Sequence, residues 1–252
     1  MIAVSSPAFS AMEFARALDL IAGEFEAWEV VAEGLHDLRS IERPFLDLTP
    51  SYDLEYSAHA PMSDINIGSL NPRMREAAMR ELLSALGSCH RLGMDVLTVH
   101  PAFMTPLGFV DPGRVRDTTR AGLRRLDASS RELGVKVALE NMPSSPFSTA
   151  KTPGTLLELI EGTELGVCLD VGHAHTNGNL KEFVKLKGSI VNLHVHDNKG
   201  AVDEHLPIGD GTIDFPWLLR AMSGYRGRHV IESRGLEDAL VSRDRLKALL
   251  DG

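Results

Sequence analysis

The sequence predicts a TIM barrel, the closed fold of eight alternating β-strands and α-helices. Eight short runs rich in Val, Ile, Leu and Ala alternate with amphipathic helical stretches along the chain. The chain has 252 residues, of which 43% are hydrophobic, enough for one barrel. Side chains that can act as ligands also recur where the strand-like runs end. We therefore expect a single α/β domain, a (β/α)8 TIM barrel over residues 1–252; an open doubly wound sheet is the alternative, and it would gather ligands at one switch point.

The predicted strands are five to eight residues long. Such short apolar runs are typical of parallel strands that are buried on both faces. In chain order, the strands are predicted at residues 2–6, 27–33, 54–60, 95–101, 135–141, 165–172, 190–197 and 229–233.

The helical stretches between the strands carry start and stop signals. Residues 72–93, PRMREAAMRELLSALGSCHRLG, begin with proline and end with glycine, as many helices do. The stretches that end at Gly134 and Gly162 have the same stop signal. Residues 34–51 form the weakest unit and predict a short or broken helix. No linker or low-complexity segment divides the chain.

Composition and charge argue against several classes of protein. The longest apolar stretches are as long as a strand and fall far below the roughly 20 residues that a membrane-spanning helix needs. The first residues lack the basic segment and long apolar core of a signal peptide, so we expect a cytoplasmic protein. Two cysteines, Cys89 and Cys168, provide no disulfide framework. The net charge of -9 disfavours nucleic acid as a partner, since such binding depends on Lys and Arg.

Side chains that can bind metals end six consecutive predicted strands. A TIM barrel carries its active site at the C-terminal ends of its strands, so these side chains converge at one mouth. The long loop after the seventh strand supplies two more. The predicted ligands are His59, His100, Glu140, Asp170 with His173 just beyond it, His194 and Glu232, and Asp203 and His205 in the loop.

This convergence predicts a divalent metal site. Any one of these residues alone could be structural, but so many imidazoles and carboxylates at one rim would repel or desolvate one another without cations between them. Nitrogen and oxygen ligands without thiolate suit zinc, manganese, iron or cobalt better than calcium. We expect zinc or manganese, in one to three ions per chain. His175 and His196 lie next to the ligands and could contact the substrate or pack against the site.

Seven short motifs resemble one family over essentially the whole chain. They are SAHAP (57–61), TVHP (98–101), ALENM (138–142), GVCLDVGHA (166–174), LHVHDNK (193–199), DEHLPIGDGTIDF (203–215) and VIESR (230–234). Each motif is weak alone, but their order and spacing are specific. Together they are similar to the xylose isomerase-like TIM-barrel superfamily, which joins sugar isomerases and epimerases with endonuclease IV.

In the isomerase and epimerase branch, the resemblance implies a single-metal site. One of two catalytic glutamates removes a proton from a carbon of the chelated sugar, and the other returns it. His173 and Arg234 would then contact substrate oxygens. The implied ligands are Glu140, Asp170, His194 and Glu232, of which Glu140 and Glu232 form the catalytic pair; the predicted substrate contacts also include His196 and Lys199.

In the endonuclease branch, the resemblance implies that nine ligands hold three zinc ions for phosphodiester hydrolysis, and this chain has all nine. Two motifs depart from that branch. Residues 139–147 read LENMPSSPF where endonuclease IV proteins have Gly-Gln after LEN, and Met62 stands where the family places an aromatic residue that enters the abasic gap. The one obviously basic stretch, residues 108–125, is expected to form a helix away from the mouth.

We therefore expect an enzyme that isomerises or epimerises a small sugar, polyol or sugar phosphate. An endonuclease IV-like phosphodiesterase acting on abasic DNA is the alternative, and a barrel that binds metal without catalysis is the third. The intact glutamate pair argues against a mere scaffold. Fold alone does not decide, because barrels host many reactions. The sequence leaves open the substrate, the native metal and assembly into a homo-oligomer.

Overall fold

The computed structural model describes residues 1–251 and contains a closed barrel of eight parallel strands. Each strand pairs with its neighbours in the sequence, and the first pairs with the last. The predicted TIM barrel fold is confirmed; Gly252, the last residue of the predicted domain, lies outside the described residues. The strands are β1 (Ile2–Ser5), β2 (Ala27–Val31), β3 (Glu55–His59), β4 (Val96–Val99), β5 (Lys136–Glu140), β6 (Gly166–Asp170), β7 (Ile190–Val195) and β8 (His229–Glu232).

The strands end one or two residues earlier than the apolar pattern predicted. After β6 the backbone turns into a helix, and the side chain of Asp170 accepts a hydrogen bond from the backbone N–H of His173 at 2.6 Å. After β7, Asp197 pairs with Leu206 of the following loop through two backbone hydrogen bonds. The apolar pattern predicts strand ends too far along the chain because the residues just after each strand are still buried, although they no longer pair with the neighbouring strands.

Helices lie between consecutive strands. Within residues 1–251, none of them combines the length and the apolar character needed to cross a membrane. The α-helices are α1 (Phe14–Ala22), α2 (Glu42–Leu48), α3 (Pro72–Leu92), α4 (Pro106–Val110), α5 (Pro112–Leu133), α6 (Pro153–Ile160), α7 (Val171–Thr176), α8 (Leu180–Val184), α9 (Phe215–Ala221) and α10 (Leu236–Asp251).

The predicted start and stop signals explain several helix ends. The side chain of Asn71 accepts hydrogen bonds from the first turn of α3, and Gly93 ends that helix with a left-handed φ of 70°. The weak second unit contains α2, a seven-residue helix between two 3-10 turns. The basic stretch at 108–125 is not one helix, because Pro112 starts α5 immediately after α4. Since α5 packs against α3, α6 and β5, it lies on the outer wall of the barrel.

The inside of the barrel changes from apolar to polar towards the mouth. Alternate residues of each strand point to the barrel axis. Between an apolar layer at the start of the strands and the mouth lies a polar layer, in which the side chain of Asn192 donates hydrogen bonds to Glu29 at 2.7 Å and to Thr98 at 2.9 Å. The ligand residues come next along the strands. The apolar layer consists of two clusters, Ala3, Ala27 and Val230, and Val96, Ala138 and Cys168.

Candidate metal centre

The C-terminal ends of the strands deliver most of the predicted ligands to one mouth. His59, Glu140, Asp170 and Glu232 are the last residues of their strands. His100 follows β4 directly. The remaining predicted ligands are His194 near the end of β7, His173 on α7, and Asp203 and His205 in the loop between β7 and α9.

The ligand side chains fall into three groups that could each hold a metal ion. In every group, one ligand atom from each residue lies within 4.8 Å of the others. Glu140 belongs to both the first and the second group. The first group is His59, His100 and Glu140; the second is Glu140, Asp170, His194 and Glu232; the third is His173, His196, Asp203 and His205.

Glu140 connects the groups through both of its carboxylate oxygens. Its Oε2 lies 3.3 Å from Nε2 of His59 and 3.0 Å from Nε2 of His100. Its Oε1 lies 3.4 Å from Nδ1 of His173 and 3.3 Å from Nδ1 of His194. The side chain is 1% exposed. This carboxylate would therefore supply ligand atoms to both the first and the second group.

His194 is held between carboxylates on both sides of its ring. Its Nδ1 lies 3.1 Å from Oε1 of Glu232, and its Nε2 lies 2.9 Å from Oε1 of Glu29. Sequence reasoning missed Glu29, a fully buried residue in the middle of β2 whose Oε2 also accepts hydrogen bonds from Asn192 and Ser57. A lone acidic residue inside an apolar strand was the signal that could have identified it.

Charge pairing dominates the electrostatics. Burial lowers the pKa of His59, but the hydrogen bond and charge of Glu140 outweigh burial and raise this pKa to about 9. Burial raises the pKa of Glu140, whereas the charges of His100 and His194 hold it well below its usual range. Burial also raises the pKa of Glu232, and the charge of His194 more than reverses that effect. Imidazoles and carboxylates thus neutralise one another, and a bound metal ion would displace the imidazole protons.

Several buried polar atoms in these groups have no hydrogen-bond partner. They are Oδ2 of Asp170, Nδ1 of His194, both ring nitrogens of His196, and Oδ1 of Asp203. Groups of opposite charge lie within 4 Å of most of these atoms, but the angles between them are unsuitable for hydrogen bonds. A buried polar atom left unpaired costs about 1 to 3 kcal/mol. As ligand atoms for a metal ion, these unpaired nitrogens and oxygens, with no thiolate among them, fit zinc or manganese.

A cavity of about 270 Å³ opens over the three groups. Lys199 and Arg234, predicted as substrate contacts, are exposed and lie outside its wall, and His196 is fully buried behind it. A larger hollow of about 620 Å³, at the other end of the barrel, is lined by none of the predicted ligands. The apolar part of the cavity wall consists of Pro7, Val31, Met62, Met142 and Pro143.

The loop that carries Asp203 and His205, here called the lid (residues 198–213), is anchored by the buried carboxylate of Asp197. Its Oδ1 accepts hydrogen bonds from the backbone N–H groups of Asn198 and Ile213, and its Oδ2 accepts them from Gly209 and Gly211. A Cβ atom at Gly211 would lie 2.3 Å from Oδ1 of Asp197. The backbone at Gly209 and Gly211 therefore wraps around this carboxylate.

The closed parallel barrel and the His- and carboxylate-rich groups at its mouth define the class: a TIM barrel able to hold metal ions. The chain belongs to the xylose isomerase-like TIM barrel family, whose sequence profile matches residues 13–249. The predicted resemblance is thus confirmed.

Relatives from both branches of the superfamily are similar to this chain. An uncharacterized protein of Methanocaldococcus jannaschii is 36% identical, over 98% of this chain and 88% of the relative. The solved structure of a D-tagatose 3-epimerase-like protein superposes with a TM-score of 0.93 and is 33% identical, over 100% of this chain and 97% of the other. A probable endonuclease 4 of Aquifex aeolicus is 27% identical, over 69% of this chain and 68% of the relative.

Proposed function

We propose that this protein is an isomerase or epimerase that depends on a divalent metal and acts on a small sugar or polyol. The observation that carries the proposal is the position of two glutamates around one imidazole nitrogen. Oε1 of Glu140 lies 3.3 Å from Nδ1 of His194, and Oε1 of Glu232 lies 3.1 Å from it, from the ends of two different strands. Both glutamates line the cavity. The similarity to a D-tagatose 3-epimerase-like protein supports the same class of reaction.

The cavity favours a small, uncharged substrate. Its volume of about 270 Å³ lies below the range of pockets for drug-sized ligands. Among residues 1–251, its wall includes no lysine and no arginine, the side chains that commonly hold phosphate. Of the sugar classes that the sequence predicts, an unphosphorylated sugar or polyol therefore fits better than a sugar phosphate.

The two glutamates perform the proton transfers. A divalent cation held by the second group supplies stabilisation of the negative charge that develops on substrate oxygens. One glutamate takes a proton from the carbon next to the carbonyl group of the substrate, and the electron pair of the broken C–H bond moves towards the carbonyl oxygen. As this electron pair returns, the other glutamate gives a proton to the opposite face or to the neighbouring carbon. Glu232, with 15% of its side chain exposed, is the more accessible of the two. Met62 and Met142 contribute apolar surface to the wall of the same cavity.

Exchange of carbon-bound hydrogen with solvent tests this proposal. The metal-loaded protein is incubated in deuterated water with D-tagatose and a panel of other ketoses, and loss of the C–H signal is followed by NMR. We expect exchange with at least one sugar, abolished by Glu140→Gln and by Glu232→Gln. Glu237→Gln, on the exposed face of α10, is the matched control and retains exchange. Exchange that persists in both active-site variants, or none in the wild type, overturns the proposal.

One observation favours a second candidate, a phosphodiesterase. Glu140 reaches two ligand groups, and a bridging carboxylate suits several ions that clamp the attacking and leaving oxygens of a phosphodiester. The similarity to a probable endonuclease 4 supports this alternative. It predicts chelator-sensitive incision of an abasic duplex that His59→Asn or His100→Asn impairs severely. No incision at enzyme excess eliminates it.

A further inference from the structure

A second cavity, here called the outer cavity, lies on the helical wall of the barrel and has a volume of about 430 Å³. None of the described residues lines both this cavity and the one at the mouth. Its volume falls within the range of about 300 to 1,000 Å³ that is typical of pockets for small ligands. The wall is formed by the segment around α4, the first turns of α5, residues 146–152 and α6, and its largest apolar side chains are Met104, Phe109, Val115 and Leu159.

Large apolar side chains are exposed beside the outer cavity. Phe109 lines the cavity and contacts Phe147 with ring centroids 5.8 Å apart, and about half of each side chain is exposed. Leu107 and Val110, on the same short helix as Phe109, are exposed as well. Single exposed apolar side chains are common, but a group of them next to a cavity is typical of a binding site. The outer cavity therefore suits a ligand with an apolar body.

Lys151 gives the wall of the outer cavity a net positive charge. The other two charged residues of this wall, Arg116 and Glu158, pair with each other at 3.3 Å. The Nζ atom of Lys151 donates a hydrogen bond to the backbone oxygen of Ser145 at 3.1 Å. The backbone oxygen of Lys151 accepts one from the side chain of Asn179 at 2.8 Å. The lysine is thus held at both ends, and its charge is left for an anion.

We propose that the outer cavity binds a small carboxylic acid with an apolar body. The carboxylate contacts the ammonium group of Lys151, and the body packs against Phe109, Val115 and Leu159. Burial of apolar surface supplies affinity, and the charge-assisted hydrogen bond selects an anion. One lysine balances the single charge of a carboxylate, whereas a phosphate group carries up to two charges. This inference goes beyond the function proposed above and holds whether the reaction at the mouth is epimerisation or hydrolysis.

One loop, residues 141–152, contributes to both cavities. Met142 and Pro143 line the cavity at the mouth, whereas Pro146 and Lys151 line the outer cavity. The two parts of the loop are joined by a hydrogen bond of 3.4 Å from the backbone N–H of Met142 to the backbone oxygen of Ala150. A ligand in the outer cavity therefore contacts a loop that also forms part of the mouth.

NMR of methyl groups locates the ligand. Protein labelled with ¹³C at the methyl groups of Met, Val and Leu is titrated with 3-phenylpropionate. A second titration uses 3-phenylpropanol, which has the same apolar body and no charge. We expect 3-phenylpropionate to shift the signals of Met104, Val115 and Leu159 in one saturable step. The absence of such a step at these three residues overturns the proposal, and so does a step confined to Met62 at the mouth.

The same titrations on two lysine variants test the role of the charge. Lys151→Met removes the ammonium group and keeps an apolar side chain of similar length. We expect it to bind 3-phenylpropionate at least tenfold more weakly, by about the effect of a lost hydrogen bond between charged groups, and to bind 3-phenylpropanol as the wild type does. Lys185→Met, at the exposed end of α8, is the matched control and keeps the affinity of the wild type for the acid. Unchanged affinity for the acid in Lys151→Met overturns the proposal.

The wild-type protein alone decides the question if Lys151→Met does not fold. We expect the wild type to bind 3-phenylpropionate at least tenfold more tightly than 3-phenylpropanol, since only the acid reaches the ammonium group with a charge. Equal affinities for the two compounds overturn the proposal. They would show that the outer cavity accepts any apolar group, such as a side chain of a partner protein.

Discussion

Oε1 of Glu29 lies 2.9 Å from Nε2 of His194, on the opposite side of the imidazole from Glu140 and Glu232. Both Glu29 and His194 are fully buried. A carboxylate at the second nitrogen of a ligating histidine fixes the orientation of the ring and directs its other nitrogen to the ion. The candidate metal centre therefore extends one layer deeper into the barrel than the nine predicted ligands.

Glu29→Gln should weaken metal binding without removing any ligand. Loss of a carboxylate behind a ligating histidine lowers metal affinity by about 10- to 100-fold. Competition titration with Zn²⁺ measures the change. Glu55→Gln, an exposed strand residue paired with Arg228, is the control and should bind zinc as the wild type does. Equal affinities in the two variants would show that Glu29 plays no part in the centre.

Gly172→Ala should destabilise the fold. The added Cβ would lie 1.9 Å from the buried ring of His196, and overpacking of this kind costs about 1 to 3 kcal/mol. Urea unfolding of the chelator-treated protein gives the free energy of unfolding. Gly154→Ala, in α6 with nothing within 4 Å of the new Cβ, serves as the control and should not lower stability. A Gly172→Ala protein as stable as Gly154→Ala would contradict the close packing of Gly172 against His196.

Asp197→Asn should loosen the lid. The carboxylate accepts four backbone hydrogen bonds, and an amide nitrogen in place of one oxygen leaves buried N–H groups unpaired, at about 1 to 3 kcal/mol. Faster trypsin cleavage after Lys199 and a lower free energy of unfolding are the expected results. Asp210→Asn is the control in the same lid, because Asp210 is exposed and pairs only with Arg245 on the surface. Identical cleavage of both variants would argue against the anchor.

Stability should depend on pH through His229. Burial lowers the pKa of this histidine to about 4, whereas an unfolded histidine titrates near 6.5. The unfolded chain therefore binds the proton first, and the stabilisation present above pH 6.5 is lost as the pH falls towards 4. At pH 5 the loss amounts to about 2 kcal/mol.

Urea unfolding at pH 7 and pH 5 measures this effect by difference. Between these two values, the wild type should lose about 2 kcal/mol more stability than His229→Gln. His90→Gln, on the exposed part of α3, should behave as the wild type. A pH dependence that is the same in all three proteins would contradict this assignment.

The positions of the candidate ligands were predictable because they follow from where the strands end. Once eight strands were identified, the barrel rule placed His59, Glu140 and Asp170 at one mouth without any knowledge of the packing. The arrangement of these residues into three groups was not predictable, because it depends on the register between strands. The sequence did not predict the role of Glu29, because its partner, His194, is distant in sequence and is brought near only by closure of the barrel.

The role of the loop residues depended on three-dimensional detail. His196 was expected to contact substrate or to pack, and only the position of Gly172 and the course of the lid place it beside Asp203. Lys199 and Arg234 were predicted as substrate contacts from their places in two of the motifs, but both lie outside the cavity wall, and strand periodicity does not fix where such surface side chains point. Nothing in the sequence predicted that Asp197 anchors the lid, because the four backbone N–H groups that donate to it are brought together only by the path of the lid.

The most direct test of the account is the metal content per chain, measured by elemental mass spectrometry on untagged protein purified without added metal. We expect one to three ions of zinc or manganese per chain in the wild type and fewer in Glu140→Gln, because Glu140 belongs to two ligand groups. A folded wild-type protein that contains no divalent metal and takes up none from excess Zn²⁺ or Mn²⁺ would contradict it.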